Sequence, residues 1–99
     1  MDIINNFESK TNMKIPKEIK IGGHLYKIDI TKNEEFPSCG RLDRSKGIIS
    51  IKNSLIQSEK EETLIHEIFH AINNEINETL LESLAQQLYA VLKDNKFLV

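Results

Sequence analysis

Tryptophan is absent, cysteine occurs once at Cys39, and proline only twice, at Pro16 and Pro37. A lone thiol has no internal partner for a disulfide, which suits a reducing compartment. No apolar run approaches the roughly 20 residues that a membrane span needs. The first residues carry acids and amides instead of a basic start followed by an apolar stretch, so no signal peptide is expected. These absences read as a cytoplasmic protein with no membrane partner, and the glycosylation sequon at Asn77-Glu78-Thr79 is then without consequence. An excess of positive charge is missing too. The formal net charge is −2, and the 13 Lys and Arg are scattered and not gathered on one helix face. Nucleic acid, which demands a basic footprint, is excluded as a partner.

What is present fits one small soluble domain over residues 1–99, with 39% hydrophobic and 28% charged residues. A core of this size is modest, so stability is expected to gain from a bound metal. Within residues 1–14, Ile3, Ile4 and Phe7 have helical spacing and suggest a short helix or flexible segment. From Lys17 the period shortens to alternation. Ile19 and Ile21, then Leu25, Tyr26, Ile28 and Ile30, flank Gly22-Gly23 and read as a hairpin. Phe36-Pro37-Ser38 breaks the pattern. A second hairpin is expected from Cys39–Leu42 through a polar turn at 43–47 into Ile48–Ile51. The sum is an antiparallel sheet of three to four strands.

After Leu55 the period becomes helical. Ser58 with Glu61 has the spacing of a capping box, and Leu64, Ile65, Ile68, Phe69 and Ile72 supply an apolar face to about Asn73. A second helix starts at Asn77 or Thr79, with Leu80, Leu81, Leu84, Leu88, Val91 and Leu92 as its buried side. Strands first and helices last make an α+β domain with helices covering one face of the sheet.

The informative motif is His66-Glu67-Ile68-Phe69-His70. Residues four apart on a helix share a side, so two imidazoles so placed reach one zinc ion at roughly 2.0–2.1 Å. Glu67 then stands beside the metal as general base for a water whose pKa zinc lowers toward about 7. Such a site needs a third protein ligand, and the next helix offers Glu78 and Glu82. Glu82, one turn inside the helix with small Ala85 three residues on, is favoured over Glu78, which lies at the helix start where acids favour the dipole. Thr79-x-x-Glu82 is also a capping-box spacing, so a capping role for Glu82 stays open.

HEIFH followed by ESLAQ resembles the gluzincin metallopeptidases. More narrowly, the chain resembles small phage- and prophage-encoded zinc peptidase-like proteins related to the ImmA/IrrE family. The matching stretches are IKIGGHLYKIDI, CGRLDRSKGIISIKNSL, ETLIHEIFHAI and LLESLAQQLYAVLKDN, roughly residues 18 to 95. The resemblance implies a minimal zincin-like fold, one zinc ion per chain on His66, His70 and Glu82, Glu67 as base, and a peptide or protein substrate in a bacterial host. Gluzincins often carry an acidic or amide side chain four residues after the ligand glutamate. Gln86 holds that place relative to Glu82 and would orient a histidine from the second shell. The C-terminal subdomain of large gluzincins is missing from the pattern. For the oxyanion or substrate contact, Tyr89 is the first candidate, followed by Tyr26, His24 and Arg41, and the strand Ile48–Ile51 would pair with an extended peptide. The expected function is zinc-dependent peptide hydrolysis. The alternative is a zinc-stabilised protein-binding module with little catalysis; a third reading is a metal-free interaction domain.

Overall fold

The computed structural model describes residues 14–97; the short helix expected near Ile3–Phe7 lies outside them. Four strands, β1 (Glu18–Ile21), β2 (His24–Thr31), β3 (Gly40–Asp43) and β4 (Ile48–Lys52), precede two helices, α1 (Gln57–Ile72) and α2 (Glu78–Asp94). The α+β expectation is met. Gly22 and Gly23 close the β1–β2 hairpin with φ of +58° and +83°. Two successive positive φ values define the tight primed turn that matches strand twist, and glycine adopts them without steric cost.

The sheet departs from the antiparallel expectation. Its order is β1-β2-β4-β3, with β2 and β4 parallel and the other two pairs antiparallel. Burial gives the physical reason. Ile49 and Ile51 of β4 are fully buried, and placing β4 in the interior covers them completely. A simple meander would have set the more polar β3 in the middle and left β4 on an edge. Each of these isoleucines contributes about 1.5–3 kcal/mol by its burial. The interior position of β4 also removes it as a strand that an incoming peptide could pair with; β3 holds the outer place.

The main core joins Tyr26, Ile49, Ile51, Leu64 and Ala71, with Ile68 and Leu42 packed against it. A second cluster on the other side of α1 joins Ile65, Ala85 and Tyr89, with Phe69 and Leu92 at its margin. Helix α1 is therefore the middle layer. Among the described residues, α2 packs on α1 and makes no extensive contact with the sheet. That is why its buried stripe is narrower than the sequence suggested. Leu81, Ala85 and Tyr89 are buried, whereas Leu80, Leu84, Leu88 and Val91 stay exposed.

Both helix starts differ in detail from expectation. Helix α1 begins before Ser58, and its capping contact runs from the Ile56 N–H to Glu59 Oε1 at 3.3 Å. Glu61 does not cap; it is fully buried. Helix α2 is capped by Asn77, whose Oδ1 accepts the Leu80 N–H at 3.1 Å, so Glu82 has no capping duty at Thr79.

Strand β3 approaches α1 closely at Gly40. A Cβ there would stand 2.6 Å from Thr63 Cγ2, 3.0 Å from the Ser50 carbonyl oxygen and 3.3 Å from Glu67 Cγ. Gly40→Ala should therefore cost about 1–3 kcal/mol through overpacking and lower Tm by several degrees. Thermal unfolding at fixed pH checks this; an unchanged Tm would mean that strand and helix have more room than the geometry gives them.

Candidate metal centre

His66 and His70 lie one turn apart on α1, half-buried, with ring centroids 4.9 Å apart. Helical periodicity puts them on one side, and packing of α1 between sheet and α2 fixes which side that is. Arg44, in the β3–β4 turn, donates from its guanidinium to the His70 carbonyl oxygen. It thereby satisfies one of the last carbonyls of α1, which have no partner within the helix.

The carboxylate that reaches the imidazoles is that of Glu78. Its Oε2 is 3.0 Å from His66 Nε2 and its Oε1 is 3.0 Å from His70 Nε2. The three residues form a group able to hold a metal ion, with ligand atoms within 4.8 Å of one another. Bonds of about 2.0–2.1 Å in a tetrahedral arrangement separate ligand atoms by roughly 3.3 Å, so the observed spacing fits one ion after small adjustments. Two neutral imidazoles and one carboxylate are also a donor set that first-row divalent ions accept.

Glu82, the favoured third ligand from sequence, is not in this group. It lies one turn further along α2 and lines a cavity of about 360 Å³ together with Gly40, Glu62, His66, Glu67 and Glu78. The geometry thus reverses the preference between the two acids. Only five residues separate Ile72 from Glu78, so α2 turns back at once and its first residue arrives beside the last turns of α1. Glu78 has Glu82 four positions on, just as Glu82 has Gln86, so the spacing to a second polar side chain suits either acid as ligand.

Glu67 packs against Gly40 of β3, and only 5% of its surface is exposed. Burial first, and the nearby charge of Glu78 second, push its carboxyl up to about 7. It borders both the cavity described above and an adjoining one of similar volume lined by Arg41, Leu42 and His70. A carboxyl group that changes protonation near neutrality, next to a metal-ligand set, is suited to moving a proton.

The remaining candidates divide. Gln86 borders the cavity that Glu82 lines but hydrogen-bonds to neither imidazole among the described residues. Tyr89 is directed away from the site: its hydroxyl donates to Glu61 Oε1 at 2.5 Å inside the helix–helix contact. Burial and that hydrogen bond hold the phenol well above its ordinary pKa. A core aromatic with a committed hydroxyl cannot also serve an oxyanion. Tyr26 is buried in the main core, and His24 borders a separate cavity with Arg44. Arg41 does border the site, with its guanidinium 5.0 Å from the centroid of the Phe36 ring. Sequence reasoning passed over Arg44 and the inward turn of Glu61.

Because the folded state raises the Glu67 pKa from 4.5 to about 7, the metal-free folded chain keeps a proton that the unfolded chain has released across that interval. Stability contributed by this group is complete below about pH 4.5 and is lost as pH rises through 7. Glu67→Gln should remove this dependence and stabilise the metal-free chain at pH 8 by up to about 3 kcal/mol relative to its effect at pH 4.5. Urea unfolding with chelator at the two pH values checks it, and equal effects at both would contradict the buried, uncompensated carboxyl.

No helix among the described residues is long and apolar enough to cross a membrane. Compared with protein-family models, curated proteins and solved structures, the chain matches none.

Proposed function

We propose that the protein is a zinc-dependent endopeptidase of gluzincin type, related to the small ImmA/IrrE-like phage proteins that its sequence resembles, with His66, His70 and Glu78 as ligands and Glu67 as general base. The observation that carries this reading is the convergence of three ligand atoms within 4.8 Å beside a nearly neutral buried carboxyl. A bound zinc ion would supply Lewis acidity to a carbonyl and make water a better nucleophile near pH 7.

The protein's own groups do the rest. Glu67 accepts a proton from the attacking water and returns it to the departing amine. Its place on the wall of both cavities beside His66 sets it where such a proton would be taken up and handed on. Glu82, on the wall of the same cavity, is available to orient a ligand histidine, the part first assigned to Gln86. Strand β3 ends the sheet, and its residues Gly40–Leu42 border the two cavities. An extended peptide paired with its outer edge would run past Glu67, which makes β3 the strand suited to substrate in place of β4.

Incubation of zinc-loaded protein with a randomised peptide library, read by mass spectrometry, tests this proposal. Cleavage should stop with chelator and return with added zinc. Glu67→Gln should retain zinc but lose about 10²–10⁴-fold in rate. Peptides left intact by the loaded native protein, or cleaved equally by Glu67→Gln, would contradict the reading.

A further inference from the structure

Among the described residues, the helix that carries Glu78 makes its extensive contacts with α1, so the position of Glu78 depends on how α2 is held there. The contact between the helices has three parts. At one end the Glu78 carboxylate meets His66 and His70, and in the middle Ile65 packs in one cluster with Ala85 and Tyr89. At the far end, fully buried Glu61 accepts from the Tyr89 hydroxyl at 2.5 Å through Oε1 and from Gln57 Nε2 at 2.9 Å through Oε2. Lys93 Nζ donates in turn to the Tyr89 hydroxyl at 3.2 Å.

These parts differ in what they fix. Apolar burial is non-directional and tolerates sliding of one helix on another. A buried polar pair does not, because a slipped register strands a carboxylate and a hydroxyl without partners. Tyr89 stands eleven residues after Glu78, close to three full turns, so both lie on the same face of α2 about 16 Å apart. A slip of one residue would move Glu78 by about 1.5 Å and 100° around the helix axis, well outside the roughly 0.5 Å that a ligand set tolerates.

We propose that the buried Glu61–Tyr89 pair is a positioning clamp that sets the register of α2 and thereby holds Glu78 at the metal site before the ion arrives. The inference rests on the assignment of Glu78 as a metal ligand. Without the clamp, the metal-free chain spends less time with Glu78 in place, and apparent metal affinity falls by the same fraction.

Cobalt(II) titration, followed by its visible absorption, measures that affinity without any substrate. Tyr89→Phe should bind Co²⁺ roughly tenfold more weakly than the native chain, while far-UV circular dichroism shows it folded. In a Glu78→Ala background the same substitution should cause no further loss, since there is no ligand left to position. Glu61→Gln keeps an acceptor for the Tyr89 hydroxyl, with the Gln57 amide turned over, and should bind within about threefold of native. Native affinity in Tyr89→Phe, or an equal loss with and without Glu78, would overturn the clamp and leave the pair a stability element only. Should Tyr89→Phe fail to fold, Glu61→Met with Tyr89→Phe fills the site with apolar groups. Weak Co²⁺ binding by that folded variant supports the clamp, and native binding refutes it. A native chain that takes up no Co²⁺ would instead refute the metal-site assignment itself.

Discussion

The five residues from Asn73 to Asn77 bring the second helix back along the first, and the convergence of Glu78 with the two histidines depends on that return. Asn73 leaves α1 in an extended conformation, its side chain accepts the Glu75 N–H at 2.9 Å, and Asn77 caps α2. The first residue of α2 consequently lies beside His66 and His70. A longer connection would have let a different turn of α2 face the histidines and would have exchanged one glutamate for another.

Helix α1 carries two buried glutamates whose surroundings assign them different duties. Glu61 has both oxygens engaged by neutral donors, Tyr89 and Gln57, and binds one helix to another. Glu67 accepts no hydrogen bond among the described residues and borders the cavities, where burial raises its pKa. A carboxylate with both oxygens engaged is a structural element, whereas one that opens on a cavity wall is free to exchange a proton.

Much of this was legible in the residues. The Gly22-Gly23 turn, the four strands, both helices and the His66/His70 pair follow from periodicity and turn chemistry, which act over a few neighbouring positions. What escaped depends on contacts distant in sequence. Alternation identifies a strand without naming its neighbour, so the parallel pairing of β2 with β4 could not be read. The broad leucine pattern of α2 shows that some face is buried, but only packing on α1 selects Leu81, Ala85 and Tyr89. The choice between Glu78 and Glu82 turned on where α2 begins, and helix ends are the least certain feature of a pattern. Tyr89 shares a helix face with the site residues, yet its hydroxyl is taken by Glu61, 28 positions earlier.

The central claim is that His66, His70 and Glu78 together hold one metal ion. Zinc content after dialysis against trace zinc, compared across the native chain, Glu78→Ala and Glu82→Ala, tests it most directly. The geometry predicts about one zinc per chain in the native protein and in Glu82→Ala, with loss in Glu78→Ala. Zinc retained by Glu78→Ala and lost from Glu82→Ala would contradict it.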